Sequence, residues 1–96
     1  MEAEVIYNQS DTSAIGGIKT LRENGIELEK LDIVTGDGTP ITEWYSPSLT
    51  TVKSPAQQIA KEVVRLMLKL LQDKESITES IHTIILPSLI IRESSR

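Results

Sequence analysis

A short β-prone run held between two prolines, Pro47 and Pro55, constrains this chain more than any other stretch. Leu49, Thr50, Thr51 and Val52 favour an extended strand, because β-branched side chains fit a pleated surface. Ser54 then reads as an N-cap, Pro55 as the first helical residue and Gln57 as the third. That is a capping box, with proline where its missing N–H does no harm. The stretch divides the chain into strand–helix–strand before it and a long helix with a β-rich tail after it.

Before the divide, Ala3 to Asn8 reads as a strand and Gln9 to Ser13 as a polar turn, with Ser10 or Asp11 placed to cap a helix. Ala14, Ile15, Ile18 and Leu21 recur at the spacing of one apolar helical stripe. Asn24 and Gly25 supply the stop, with glycine where a left-handed residue is wanted. Gly16 and Gly17 lie inside this helix at a cost of about 1 kcal/mol each relative to Ala, which predicts close packing against a strand or another helix. Leu31 to Thr35 is the second strand and Gly36 to Pro40 a turn. Strand, helix and strand form a βαβ unit, hence an α/β fold with parallel strands. Ile41 to Tyr45 has room for one helical turn.

After the divide, Ile59, Val63, Met67, Leu70 and Leu71 mark an amphipathic helix ending near Asp73. Val64, Leu66 and Leu68 widen its apolar arc beyond what a surface helix needs. Ser80 to Leu86 and Leu89 to Arg92 are β-rich, broken by Pro87, which cannot sit in mid-sheet.

Composition narrows the function. Ninety-six residues allow one small domain or a piece of a larger one, and with 3% aromatics and no Phe its core must be aliphatic. There is no cysteine, hence no disulfide or thiolate site. A net charge of −4 with scattered Lys and Arg argues against direct contact with nucleic acid, which needs a basic face. No apolar run approaches the roughly 20 residues of a membrane span. The start, Met1 to Glu4, lacks the regions of a signal peptide and runs almost at once into a core-like strand, which reads as a truncated chain.

Ligands of open α/β sheets sit beyond the carboxyl ends of the parallel strands. Those ends carry Asn8, Ser10 and Asp11 after the first strand and Asp37 after the second. Two carboxylates among short polar groups suit a polyhydroxyl or nucleoside ligand; the alternative is that Ser10 or Asp11 only caps a helix and Asp37 only makes a turn. Asp37-Gly-Thr resembles the Asp-x-Asp-Gly-Thr signature of haloacid-dehalogenase-type phosphatases. The nucleophilic aspartate of that motif falls at Thr35, which excludes the chemistry. His82, the one histidine, has no acidic or cysteine neighbour at ligand spacing and reads as structural or surface. Neither a catalytic set, a phosphate loop nor a metal cluster emerges. Trp44 and Tyr45 can stack on a sugar or pack at a core edge or subunit contact.

Taken together, Ser10-Asp-x-x-Ala-x-Gly16, Gly25-Ile26, the strand ending at Asp37, Pro47-x-Leu-Thr-Thr-Val52 and the ending Leu86 to Ser95 resemble the LacI/GalR family of bacterial transcriptional repressors. The resemblance covers nearly the whole chain but only about the last third of a full-length member. It implies the carboxy-terminal part of an effector-binding domain: a βαβ, Rossmann-like, partial periplasmic-binding-protein-like lobe of parallel strands flanked by helices, with an extra long helix and a β-rich tail. About 1–53 and 88–96 would form the carboxy-terminal lobe, and about 54–87 would belong to an absent amino-terminal lobe. Leu49 to Lys53 would then be a crossing between lobes.

The resemblance implies a sugar, sugar phosphate or purine effector touched by Ser10, Asp11 and Asp37. It also implies a subunit contact at Ile15, Ile18, Lys19, Arg22 and Tyr45. Two departures stand out: Ser10 replaces an asparagine, and Gly36 replaces an aromatic before Asp37. The expectation is a cytoplasmic, non-enzymatic sensing and dimerisation part of a repressor, without cofactor, metal or membrane contact. DNA would be reached only through a region outside this chain. The alternative is part of a solute-binding protein of an ABC sugar transporter. Half of a two-lobed domain exposes apolar faces, so self-association, as a homodimer or larger and with helix swapping as one form, is expected.

Overall fold

Of the two cap residues the sequence offers, Ser10 starts the first helix: its backbone is extended and its hydroxyl accepts a hydrogen bond from the Ser13 amide at 3.2 Å. The helix, α1 (Asp11–Glu23), buries Ala14 and Ile18 and ends on Asn24, followed by Gly25 at φ 70°. The computed structural model describes residues 4–72 and 81–95. Around α1 come β1 (Val5–Asn8), a 3-10 turn (Leu28–Lys30), β2 (Asp32–Asp37), the single turn α2 (Ile41–Trp44), β3 (Thr50–Lys53), α3 (Ala56–Gln72) and β4 (Ser88–Ile90). The chain divides into two units, Met1–Ser54 with Pro87–Arg96, and Pro55–Leu86.

In the first unit the sheet order is β1-β2-β3-β4. β1 and β2 are parallel with Ile6 beside Ile33, β2 and β3 are parallel with Thr35 beside Thr51, and β4 runs antiparallel with Ile90 beside Thr51. The α/β class and its parallel βαβ unit are as the sequence indicated. The core is aliphatic: Ala14, Ile18, Ile33 and Leu49, flanked by Ile15, Leu21, Leu28 and Tyr45.

Several boundaries differ from the sequence expectations. β2 continues through Gly36 and Asp37, because these residues pair with Val52 and Lys53. A β-carbon at Gly17 would sit at an ordinary contact distance, 3.7 Å, from the Asn8 side chain, and one at Gly16 has nothing within 4 Å, so the close packing expected around this glycine pair explains neither residue. The tail strand is Ser88–Ile90, shorter than Leu89 to Arg92 at one end and longer at the other. Arg92 turns inward instead, donating to Thr42 Oγ1 at 2.6 Å and the Leu49 carbonyl at 3.0 Å, with Glu43 at 3.5 Å.

In the second unit α3 begins at Ala56, one residue later than expected, with the Pro55 carbonyl accepting from the Ile59 amide. The expected end at Asp73 lies outside the described residues, as does Ser80. Residues 81–86, expected as a strand, form none: a ladder needs a neighbouring backbone. Thr83 Oγ1 donates to Glu62 of α3, whose carboxyl the Arg65 guanidinium holds below its usual range, and Ile81 and Ile85 line a groove with Ile59, Val63 and Leu66 of the helix.

The last residues lock the first unit. Ser94 inserts between the starts of β2 and β3: its backbone oxygen accepts from the Ile33 amide at 2.8 Å, and its hydroxyl donates to the Ile33 carbonyl at 2.6 Å. The same hydroxyl accepts from the Thr50 amide at 2.8 Å. At the other end of β2, Asp11, 3% exposed, accepts from Thr35 Oγ1 at 3.0 Å, the Thr39 amide at 2.8 Å and Thr39 Oγ1 at 2.5 Å.

Removing one partner from such buried sets leaves the other groups unsatisfied, at about 1–3 kcal/mol per set. Ser94→Ala is therefore expected to lower the free energy of unfolding by about 2 kcal/mol in a urea titration followed by circular dichroism; an unchanged midpoint would show that the Ser94 hydroxyl is dispensable. Asp11→Ala is expected to cost about 2–3 kcal/mol, with Asp11→Asn in between because it keeps acceptor capacity. Equal stability of the two variants would contradict the role given to the carboxylate.

Candidate functional site

The carboxyl ends of β1, β2 and β3 lie side by side, so the groups after them share one edge of the sheet. β1 delivers Gln9 and Ser10, β2 ends on Asp37, and β3 sets Lys53 beside Asp37 in register. The turn after β2 is sharp: Asp37 has φ 81° and Gly38 φ 73°. Aspartate is among the few residues that adopt this conformation readily. At Gly38 a side chain has no room, since a β-carbon would come 2.7 Å from Lys53 Cγ and 2.9 Å from its Cα. Backbone geometry therefore requires glycine at 38 and narrows the choice at 37 to residues that tolerate positive φ.

The three predicted contacts prove chemically unlike one another. Ser10 is engaged as the cap of α1, its hydroxyl also donating to Ser13 Oγ at 3.1 Å. Asp11 is buried with both carboxylate oxygens taken by Thr35 and Thr39. Asp37 is exposed, and no side chain among the described residues pairs with its carboxylate. Thr35, the position that excluded phosphatase chemistry, is fully buried and bonded to Asp11. Lys53 is the residue that sequence reasoning left out; its place at the end of a strand parallel to β2 was the available signal.

Among the residues expected at a subunit contact, Ile15 is half-buried and Lys19 and Arg22 are exposed. Arg22 donates to the Ser46 carbonyl at 2.8 Å and its guanidinium carbon lies 6.0 Å from the centre of the Tyr45 ring. Tyr45 is half-buried against the core, while its neighbour Trp44 is 74% exposed. Ile18 points the other way: at 1% exposure it is a core residue that holds α1 to the sheet. α1 thus brings Ile15, Lys19 and Arg22 to the surface and keeps Ile18 inside.

A cleft of about 310 Å³ opens at the opposite edge, where Arg22, Leu28, Asp32, Pro47 and Glu93 surround the start of β2. It lies at the amino ends of the parallel strands, away from Asp37. A shallower groove of about 330 Å³ runs between α1 and β1 past Gly16 and Gly17. Among the described residues no cluster of three His, Asp or Glu could hold a metal ion, and no helix is long and apolar enough to cross a membrane.

Residues 4–95 match the periplasmic binding protein-like domain family. The chain is 34% identical to the HTH-type transcriptional regulator MalR of Clostridium butyricum over 93% of its own length and 26% of the relative's. It is 33% identical to the HTH-type transcriptional repressor PurR of Vibrio atlanticus over 73% of the chain and 21% of that protein. A LacI family transcriptional regulator from Arthrobacter, solved in complex with lactose, superposes with a TM-score of 0.84 at 27% identity, over 99% of this chain and 36% of that one. The chain spans about a quarter of the length of the curated relatives it matches. On this match from residue 4 to residue 95, the chain belongs to the periplasmic binding protein-like domain family, as it occurs in LacI-type transcriptional regulators.

Proposed function

We propose that this chain is the effector-sensing and dimerisation part of a LacI/GalR-type transcriptional repressor. In the full-length protein it would be joined to a DNA-binding region and an amino-terminal lobe. The observation that carries the reading is the edge where β1, β2 and β3 end together, presenting Asp37 and Lys53 beside the helix cap at Ser10 while Asp11 braces the loop from beneath. A carboxylate accepts from ligand hydroxyl or N–H groups and an ammonium donates to ligand oxygens, which suits a sugar, a sugar phosphate or a purine. The lactose complex of the Arthrobacter regulator supports a sugar-like ligand.

The units Met1–Ser54 with Pro87–Arg96, and Pro55–Leu86, would fall in the carboxy-terminal and amino-terminal lobes respectively. Ligand would then favour one lobe orientation by its differential affinity and so shift the DNA-binding population. The protein would act in the cytoplasm, as a sensor without catalysis. That the similar proteins are transcriptional regulators favours this over a transporter's solute-binding component. Pairing of two chains would use Ile15, Lys19, Arg22 and Tyr45, with Ile18 supporting from within.

In the full-length protein, calorimetric titration with pyranoses, their 6-phosphates and purine bases is expected to find a ligand. Asp37→Ala should weaken its binding about tenfold or more, as loss of a charged hydrogen bond does; equal affinity in both forms would remove Asp37 from the site. Ile15→Lys is expected to shift the sedimentation coefficient from dimer to monomer without loss of helix signal. A variant that still sediments as a dimer would put the contact elsewhere.

A further inference from the structure

Gly36 is buried in β2, and a β-carbon there would come 2.5 Å from the Gln9 carbonyl oxygen and 3.2 Å from the hydroxyl of Tyr7. Tyr7 stands on β1 beside Val34, and Gly36 lies two residues further along β2 on the same face. The Tyr7 side chain therefore leans along its strand towards the carboxyl edge, a direction strand side chains commonly take. Within this chain Tyr7 is 60% exposed. The Tyr7 hydroxyl and the Gln9 carbonyl thus both border Gly36, and Ser10 and Asp37 are the next residues in the chain after Gln9 and Gly36. A side chain at position 36 would collide with the Gln9 carbonyl and crowd the phenol hydroxyl.

We propose that Tyr7 is a ligand-contact residue that sets specificity at the effector edge, reaching it across Gly36. This rests on the effector-binding reading above. The ligand chemistry it fits is a six-membered polar ring with adjacent O–H or N–H groups. The aromatic ring offers an apolar surface to such a ring, the phenol both donates and accepts, and the neighbouring Asp37 carboxylate only accepts. Asp37 binds the ligand's donors, and Tyr7 selects for shape and for a donor–acceptor pair beside them.

The experiment is calorimetry on the full-length protein with the same panel of pyranoses, 6-phosphates and purine bases, comparing wild type, Tyr7→Phe, Tyr7→Ala and Asp37→Ala, with thermal unfolding alongside. For the compound that binds, Tyr7→Phe is expected to weaken affinity about fivefold at unchanged Tm, the loss of one hydrogen bond. Tyr7→Ala should weaken it about tenfold or more, because the ring is lost as well. Wild-type affinity in both Tyr7 variants would overturn the proposal, and the effector site would still stand if Asp37→Ala weakened binding. A lowered Tm in Tyr7→Ala with wild-type binding in Tyr7→Phe would mark Tyr7 as a packing residue and overturn it equally. Failure of every compound in the panel to bind would overturn the proposal and the effector reading together.

Discussion

The carboxyl edge of the sheet depends on the buried carboxylate of Asp11. A charge at 3% exposure is costly unless its lone pairs are satisfied, and three donors from two residues satisfy it here. As the first residue of α1 it also faces the helix's unpaired amides, a favourable position for a negative charge. One side chain thereby fixes α1 to the carboxyl end of β2 through Thr35 and to the following loop through Thr39. Between those two anchors lie Gly36, Asp37 and Gly38, and two of the three have positive φ. An acidic group so committed is a poor ligand contact. Two acidic residues that look equivalent in the sequence divide into one that positions and one that is presented.

The opposite edge is held by residues from the far end of the chain. Ser94 acts as a strand one residue long, exchanging backbone bonds with Ile33 and Ser48 and filling the gap where β2 and β3 begin to separate. Thr50 is met by Arg92, Ser94 and Ser95 together. Arg92, its side chain 15% exposed, ties α2 to the loop before β3. The parallel strands are clamped by polar groups at both ends, with Ala14, Ile18, Ile33 and Leu49 between.

What the sequence made legible was local. The Ser10 cap, the Ala14–Ile18 stripe, the Gly25 stop and the parallel order of the first two strands follow from chemistry within a few residues. What it hid was long-range. Nothing near Asp11 announces that Thr35 and Thr39 will claim it, since the bonds span 24 and 28 positions. The stripe named Ile15 and Ile18 alike, and only the placement of the sheet decides that one is half-buried and the other fully so. Residues 81–86 have β-prone composition, but strand formation is a property of a pair of backbones, and among the described residues no partner comes.

A core of a few aliphatic side chains is apolar enough to hold a small sheet together, but its packing is weakly directional. Hydrogen bonds are directional, and this chain places its buried ones at both ends of the parallel strands. Under the proposed reading that arrangement has a consequence. An effector moves an equilibrium between lobe orientations only by the difference in its affinity for the two. Any binding energy used to order a loose loop is lost to both states. A loop already held by Thr39 and Asp11, and overlain by Lys53 at Gly38, would present Asp37 with little ordering left for the ligand to supply. On that reading the buried polar ties would be as much part of sensing as the exposed carboxylate, although they touch nothing but protein.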